Sequence, residues 1–318
     1  MPLSLQPSIS VVIPVYNSSS TLLELVDRIS GVLSKSSIDF EIVLVNDGSR
    51  DESWKIIENI CQKYHFVSGI NLMRNYGQHN ALLCGIRAAR KEVVITMDDD
   101  LQHPPEEIPN LIDKLSEGYD VVYGFPRKLP HSFWRNIFSR FTKRTLAMVM
   151  GIKTVSEISA FRAFKTDLRK AFDHYNSPGV IIDALLSWGT NRFTSILVNE
   201  YPREQGTSNY NFFKLASQGL LVLTGFSTIP LRIASWMGFF ITTLGLGVLI
   251  YVFTIYFTLG SIPGFPFLAS IISIFSGAQL FALGIFGEYL ARIFDRSLER
   301  PTYIVDRVLI YEKENQNN

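Results

Sequence analysis

The chain has 318 residues, which is enough for one large domain or two smaller ones. Its 30 basic and 29 acidic residues leave a formal net charge of +1, and this argues against the strongly cationic surface of a nucleic-acid-binding protein. The two cysteines, Cys61 and Cys84, lie in apolar, helix-like segments without metal-ligand spacing, which favours reduced core thiols in a protein that faces the cytosol.

The N-terminal residues MPLSLQPS lack the basic and apolar regions of a signal peptide, so no cleavable signal is predicted. From about residue 8 to 200, the apolar runs ISVVIPVYN, FEIVLVNDGS, VSGINLMRN, EVVITMDDD and DVVYGFPR predict buried strands. Amphipathic segments between them predict helices; the first of these has an apolar stripe of Leu22, Leu23, Val26, Ile29 and Leu33. This alternation predicts an α/β fold with a mostly parallel sheet that is covered on both faces.

Polar clusters follow four of these strands: PVYN, NDGSRDES, MRNYGQHNAL and MDDD. Because ligands of such sheets bind at the carboxyl ends of the strands, the four clusters predict one polar pocket. The last cluster contains three successive carboxylates, Asp98, Asp99 and Asp100. Like charges this close repel one another, so we expect them to hold something positive.

Past residue 230 the composition changes, and the segments 233–260 and 265–287 contain no charged residue. Each exceeds the ~20 residues needed to cross a bilayer core, which predicts a transmembrane hairpin with the turn SIPGFP; the alternative is two helices buried in a large soluble core. Basic residues flank the hairpin but are absent from its turn: Lys214, Arg232, Arg292, Arg296 and Arg300. The positive-inside rule therefore places the N-terminal domain and both termini in the cytoplasm, in a multi-pass protein of the inner membrane.

Four motifs, VVIPVYN, VNDGS, MDDDLQHPPE and FRAF, together resemble the family 2 glycosyltransferases, which have the GT-A fold. The most similar branch transfers a sugar from a nucleotide to a polyprenyl phosphate, as bacterial undecaprenyl-phosphate glucosyltransferases and dolichol-phosphate mannose synthases do. DLQHPPE is specific in this context, whereas PVYN alone is weak. The hairpin and GEYLARIFDRSLERPTYIV resemble the bacterial membrane-anchored members, so the likeness covers nearly the whole chain.

The resemblance implies a catalytic GT-A domain at 1–210, a juxtamembrane interfacial helix region at 211–231, a transmembrane hairpin at 232–295 and a cytoplasmic tail at 296–318. The two spans are predicted at about 233–260 and 265–291. Residues 211–231 could instead form a surface helix packed on the domain. Five glycines of the hairpin allow close helix packing and are compatible with a homo-oligomer: Gly238, Gly245, Gly277, Gly284 and Gly287.

The resemblance also implies a cofactor, Mg²⁺ or Mn²⁺, that Asp98 and Asp100 share with the donor diphosphate while Gln102 supplies a further oxygen. The ion would neutralise charge on the leaving diphosphate. Asp99 is predicted to point to the other face as a solvated or capping carboxylate. His103 is predicted to pack or to form hydrogen bonds rather than to bind a ligand.

By the same resemblance, Asp47 would accept a hydrogen bond from a base N–H, and Tyr16 would offer its ring for stacking. The predicted donor-binding residues are Pro14, Tyr16, Asn17, Asp47, Arg74 and Gln78, with the last two contacting the diphosphate or the sugar.

The acceptor, a polyprenyl phosphate, is already anionic near pH 7 and needs positioning more than a general base. Arg162 and Arg203 are predicted to bind its phosphate because a guanidinium fork matches phosphate oxygens, with surface arginines as the alternative. Ser208 and Tyr210, in the same YPREQGTSNY segment as Arg203, are counted with the substrate-binding residues. Glu157 stands where the family more often has Asp, and it acts either as a base or as a contact to a sugar hydroxyl.

The resemblance implies a metal-dependent, inverting sugar transfer to undecaprenyl phosphate. The transfer is predicted to be non-processive, since the chain lacks the Gln-x-x-Arg-Trp motif of processive synthases. UDP-glucose is the first donor expected, and UDP-aminoarabinose and GDP-mannose are the alternatives. The absence of a P-loop and of a dinucleotide-binding fingerprint argues against other nucleotide sites. Two other classes stay open: another nucleotide-sugar enzyme or nucleotidyltransferase with the same sheet, and a membrane-anchored, nucleotide-binding transport subunit without catalysis.

Overall fold

The apolar runs form strands in the computed structural model, which describes residues 7–126, 158–177, 179–201, 229–260 and 264–310. The strands are β1 (Ile9–Val15), β2 (Phe40–Asn46), β3 (Val67–Leu72), β4 (Val93–Thr96), β5 (Val121–Pro126), β6 (Arg162–Lys165), β7 (Phe193–Val198) and β8 (Val305–Leu309). The α-helices are α1 (Leu22–Lys35), α2 (Ser53–Lys63), α3 (Gln78–Ala88), α4 (Ile108–Ser116), α5 (Ile182–Gly189), α6 (Ile229–Leu259) and α7 (Phe265–Ser297). Short 3₁₀ helices span Pro105–Glu107 and Thr166–Ala171.

The eight strands make one sheet in the order β7-β5-β6-β4-β1-β2-β3-β8. Four neighbouring pairs are parallel: β1 with β2, β1 with β4, β2 with β3, and β5 with β7. β6 runs antiparallel to β4 and β5, and β8 runs antiparallel to β3. The predicted α/β fold with a mostly parallel sheet is therefore confirmed, and the five predicted strands are β1 to β5.

The core forms where apolar faces of the helices cover the sheet. β1 is buried along its whole length, as expected for a central strand covered on both faces. Helix α1 buries Leu22, Leu25, Val26, Ile29 and Leu33. The predicted stripe was wrong at one position, because Leu23 is 46% exposed while Leu25 faces the core. Residues three apart share a helix face, whereas Leu23 is turned about 100° from Leu22.

Two buried thiols confirm the prediction for the cysteines. Cys61 in α2 and Cys84 in α3 are both free. Burial raises the pKa of Cys61 to about 11 and that of Cys84 to about 12, so neither is a thiolate near neutral pH.

The chain divides into two compact units, one made of residues 1–215 with 300–318 and the other of residues 216–299. The predicted tail at 296–318 is corrected here, because it contains β8, which pairs with β3 at the edge of the sheet. The two long helices are thus inserted between two parts of one domain. Most of the predicted interfacial region, residues 211–228, lies outside the described residues.

Helices α6 and α7 form the second unit and pack against each other. A Cβ atom at Gly245 would lie 2.4 Å from the ring of Phe275, so this glycine permits the close approach. Both helices are long and apolar enough to cross a membrane. Large apolar side chains on them are exposed, including Trp236 at 72%, Phe257 at 80% and Leu280 at 69%. The alternative of two helices buried in a soluble core does not hold for the described residues.

Candidate active site

The four predicted polar clusters meet at one cavity of about 270 Å³ at the carboxyl edge of the sheet. The parallel pairing of β1 with β2 and β4 places the ends of these strands side by side. The described residues that line the cavity are Pro14, Val15, Tyr16, Asp47, Asn75, Gly77, Gln78, Asp98, Asp99 and Asp100.

The three successive aspartates follow β4 and have different partners. Asp98 Oδ1 accepts a hydrogen bond from Gln78 Nε2 at 2.6 Å, and Asp100 Oδ1 accepts one from its own turn, from the backbone N–H of Gln102 at 3.2 Å. Asp99 Oδ2 accepts a hydrogen bond from the backbone N–H of Tyr16 at 3.1 Å. Burial raises the pKa of Asp99 above its usual value, although the N–H of Tyr16 opposes this. Asp99 thus caps the end of β1, in agreement with the capping role predicted for it. It was wrongly predicted to point to the other face, because it lines the cavity beside Asp98 and Asp100.

Asp47 follows β2 and holds the loop that leads into α3. Its two carboxylate oxygens accept hydrogen bonds from the backbone N–H groups of Tyr76 at 2.7 Å and Gly77 at 2.9 Å. Burial raises the pKa of Asp47, and these two N–H donors partly offset that rise. Since Asp47 also lines the cavity, it fixes the wall of the cavity and presents an acceptor to it.

Gly48 and Asn17 fix the loops beside Asp47. Gly48 has φ of +64°, and a Cβ atom there would lie 2.5 Å from the backbone C of Arg74 and N of Asn75. The loops after β2 and β3 therefore touch backbone to backbone, which only glycine permits. Asn17 Oδ1 accepts a hydrogen bond from the backbone N–H of Arg50 at 2.8 Å. Asn17 braces the loop and is not among the lining residues.

The loop after β3 contains Arg74, which was predicted to contact the donor but does not line the cavity. The same loop contains two lining residues that were not predicted. The guanidinium of Arg74 lies over the ring of Tyr76, 4.7 Å from its centroid, and Arg74 does not line the cavity. Asn75 and Gly77 do. The prediction favoured the charged and the longer polar side chains of MRNYGQ. Gly77, with φ of +94°, was the one local signal of a special backbone at this position.

The structure contradicts the prediction that Arg162 binds the acceptor phosphate. The side chain of Arg162 is only 2% exposed. Its Nη1 forms an ion pair with the Asp183 carboxylate, and its Nε donates a hydrogen bond to Thr96 Oγ1 at 3.0 Å. β6 pairs with β4, and the side chain of this arginine lies in the interior.

Four predicted acceptor or catalytic residues lie outside the described residues: Glu157, Arg203, Ser208 and Tyr210. Described residues that flank the segments of Glu157 and Arg203 contact the acidic turn, residues 97–102, or the residue that follows it. Ser159 Oγ lies 3.2 Å from His103 Nε2, and the N–H of Tyr201 donates to the backbone oxygen of Gln102 at 2.9 Å. Ser159 and Tyr201, which lie close in sequence to these two segments, therefore both contact residues 102–103.

His103 packs its ring against Phe161, with centroids 5.4 Å apart, which confirms the packing and hydrogen-bonding role predicted for it. Burial lowers the pKa of His103, so its imidazole is neutral near pH 7.

The lining of the cavity suits a divalent cation whose coordination a bound ligand completes. Among the described lining residues are four carboxylates and no lysine or arginine. Across the described ranges, no three His, Cys, Asp or Glu residues gather closely enough to hold an ion by themselves. Carboxylate oxygens from Asp98 and Asp100 suit Mg²⁺ or Mn²⁺, ions that commonly complete their coordination with substrate phosphates and water. The donor set fits an ion shared with an oxygen-rich anion. Gln102 is not among the lining residues, and its role as a third ligand stays a prediction.

Comparison with known proteins identifies the relatives of this chain. The sequence pattern of "Glycosyl transferase family 2" matches residues 10–175. An undecaprenyl-phosphate 4-deoxy-4-formamido-L-arabinose transferase of Shewanella sediminis is 37% identical, over 98% of this chain and 97% of that protein. A transferase of the same name from Proteus mirabilis is 35% identical, over 97% and 96%. An uncharacterized glycosyltransferase of Synechocystis is 34% identical, over 93% and 94%.

Solved structures resemble the fold. A crystal structure of a mycobacterial protein matches with a TM-score of 0.50 and 19% identity, over 69% of this chain and 73% of that chain. Glucosyl-3-phosphoglycerate synthase from Mycobacterium tuberculosis, in complex with Mn²⁺, UDP and phosphoglyceric acid, has a TM-score of 0.49 and 19% identity, over 69% and 76%. At 19% identity, the match with a TM-score of 0.50 concerns the fold alone.

Proposed function

The chain belongs to glycosyl transferase family 2, and from that premise we propose that it transfers 4-deoxy-4-formamido-L-arabinose from UDP to undecaprenyl phosphate. The resemblance to the polyprenyl-phosphate branch with the GT-A fold is confirmed, and the chain is a glycosyltransferase. The acceptor and the sugar in this proposal derive from the relatives.

The donor sugar departs from the first expectation, which was glucose. Three relatives with a named sugar are formamidoarabinose transferases, at 35–37% identity over at least 95% of this chain. The relatives therefore favour the alternative donor of the aminoarabinose type. The Synechocystis relative names no sugar, so the sugar class is tested below.

The observation that supports the nucleotide-sugar site most directly is the composition of the cavity, whose described lining residues include four carboxylates and no basic residue. A diphosphate would be repelled there unless a cation lay between them. In this proposal Asp98 and Asp100 hold Mg²⁺ or Mn²⁺, which when bound neutralises charge on the departing diphosphate. Asp47 orients the nucleotide base by accepting from it, and the half-exposed ring of Tyr16 offers it a stacking surface.

The transfer step follows from the charges of the reactants. A phosphate oxygen of the lipid attacks the anomeric carbon as the bond from that carbon to the donor diphosphate breaks, and UDP leaves with the bonding electron pair. Attack from the side opposite the leaving group inverts the anomeric centre. Because the acceptor phosphate is already anionic, the step needs no general base, and we assign Glu157 a contact to the sugar or the acceptor.

The two-helix unit supports a site at the membrane surface. α6 and α7 are long, apolar and exposed, and β8 after them returns to the same sheet as β1. A pair of spans would return the chain to the side on which it started, and we propose from the basic residues that flank the hairpin that this side is the cytoplasm. Of the five glycines that were predicted to allow close packing, Gly245 is already covered by Phe275 of the same chain. Cβ atoms at the other four would meet nothing within 4 Å, so these four leave room for a homo-oligomer contact: Gly238, Gly277, Gly284 and Gly287.

The donor proposal is tested with the full-length protein in liposomes that contain undecaprenyl phosphate and either Mg²⁺ or Mn²⁺. A mixture of UDP-formamidoarabinose, UDP-glucose and GDP-mannose is added, and the lipid products are identified by mass spectrometry. We expect the formamidoarabinosyl lipid to predominate. A hexosyl lipid as the main product would restore the first expectation. Binding of nucleotide without any lipid product would favour a non-catalytic protein.

Arg203 is proposed to hold the acceptor phosphate. We expect Arg203→Lys to lower turnover by about tenfold or more while affinity for the nucleotide sugar changes little, since a point charge does not replace the guanidinium fork. Steady-state kinetics against both substrates and calorimetry with the donor measure this. Arg192→Lys is the matched control, because Arg192 is a surface residue that pairs with Asp120 at the other end of the sheet. Loss of donor binding in Arg203→Lys would instead place Arg203 on the donor side.

A further inference from the structure

A cluster of four polar side chains lies inside the catalytic domain and outside the cavity lining. Arg162, Asp183, Tyr123 and Thr96 are each at most 5% exposed. The Asp183 carboxylate pairs with Arg162 and accepts a hydrogen bond from the hydroxyl of Tyr123 at 3.0 Å. Arg162 Nε donates to Thr96 Oγ1 at 3.0 Å, and that hydroxyl donates to the backbone oxygen of Ala160 at 2.7 Å. The Thr96 hydroxyl is thereby held in one orientation by a donor and an acceptor.

An ion pair at this depth is not explained by stability alone. Moving two charges out of water is costly, and well-packed apolar residues often replace a buried ion pair with no loss of stability. Buried pairs of this kind are retained in some proteins because they fix one arrangement of the chain. The position of the cluster shows which arrangement it would fix here.

The hydrogen bonds of the cluster lead to the end of β4. The antiparallel register places Arg162 directly opposite Thr96, and Thr96 is the last residue of that strand. Met97 and Asp98 follow at once. A shift of the Thr96 backbone would therefore move the first of the aspartates that line the cavity.

The far end of the acidic turn is held by the same neighbouring segment. His103 Nε2 lies 3.2 Å from Ser159 Oγ, one residue before Ala160. Residues 159–162 thus contact the acidic turn at both ends, through Thr96 before the aspartates and through His103 after them.

We propose that Arg162, Asp183 and Thr96 are positioning residues that set the place of the acidic turn, residues 97–102, and act on the reaction only through Asp98 and Asp100. What the two aspartates hold rests on the proposed function. The placement of the turn does not, since it follows from protein contacts alone.

Thr96 offers the sharpest test because one substitution removes its hydroxyl at nearly constant size and another keeps the hydroxyl while removing the methyl. Thr96→Val removes the group that meets Arg162 and Ala160, whereas Thr96→Ser retains it. We expect kcat of Thr96→Val to fall about tenfold or more with the donor KM little changed, because small displacements of catalytic groups are costly. Thr96→Ser is expected to retain most of the kcat.

A second measurement needs neither metal nor turnover. Hydrogen exchange of the full-length protein, followed by mass spectrometry, reports on the amides of residues 97–103. We expect about tenfold faster exchange there in Thr96→Val and little change in Thr96→Ser. Lys165→Met is the control at the other end of β6, where Lys165 lies opposite Val93 and where Asp120 keeps its pairing with Arg192.

The outcomes separate this proposal from the proposed function. Normal kcat and normal exchange in Thr96→Val would overturn the positioning role. A uniform rise in exchange across the domain would also overturn it, because the cluster would then support only overall stability. If wild-type protein bound no divalent ion but the exchange effect appeared as expected, the metal proposal would fail and the positioning role would stand.

Discussion

Asp100→Asn is expected to lower kcat by about 100-fold or more in a protein that still folds. The substitution keeps the shape of the side chain and removes one of the two anionic ligands proposed for the metal. Asp100 lines the cavity and accepts a hydrogen bond from the backbone N–H of Gln102, which an amide oxygen can also accept. The measurements are kcat and thermal unfolding over a range of Mn²⁺ concentrations, with excess metal testing for partial rescue.

The neighbouring Asp99→Asn is the matched control. Asp99 accepts the N–H of Tyr16, and an asparagine oxygen can replace that contact. Asp99 is not one of the two proposed metal ligands, so the loss of its charge leaves both of those ligands in place. We expect Asp99→Asn to keep turnover within a few-fold of wild type. Unchanged turnover in Asp100→Asn, or full wild-type activity in excess EDTA, would refute the metal assignment.

Gly48→Ala is expected to abolish most donor binding, although residue 48 itself does not line the cavity. The added Cβ would overlap the backbone of Arg74 and Asn75 at 2.5 Å, and neither atom belongs to a flexible side chain. Overpacking of this kind costs about 1–3 kcal/mol, and the left-handed backbone adds about 1–2 kcal/mol. The loop after β3 must move, and with it Asn75 and Gly77 of the lining. Calorimetry with the nucleotide sugar and thermal unfolding test this expectation.

Two other glycines separate the causes. Gly118→Ala has a positive φ as well, of +104°, but a Cβ there meets nothing within 4 Å and residue 118 does not line the cavity, so it should lower stability by the backbone strain alone. Gly31→Ala lies in helix α1 with open space around it and should be neutral or stabilising by up to about 1 kcal/mol. Donor affinity in Gly48→Ala equal to that in Gly118→Ala would show that the backbone contact does not shape the cavity.

The sequence by itself determined much of the site because the signals were local. Continuous β-branched runs form buried strands, and polar clusters directly after them must lie at the carboxyl edge once the strands are parallel. The positions of Asp47, Asp98 and Asp100 at one cavity follow from that order alone. The charge-free segments of the two long helices were likewise recognisable, because length and composition suffice to identify them.

The tertiary structure decided the cases that depend on distant partners. Arg162 has the composition of a phosphate contact, and only its antiparallel register with β4 and its pairing with Asp183 turn it inward. The C-terminal segment shows no cue that it returns to the sheet. β8 pairs with β3, and Asn71 donates to Asp306 across 235 residues of chain. Local propensity carries no record of such a partner, because the stabilising hydrogen bonds exist only after the intervening chain has folded.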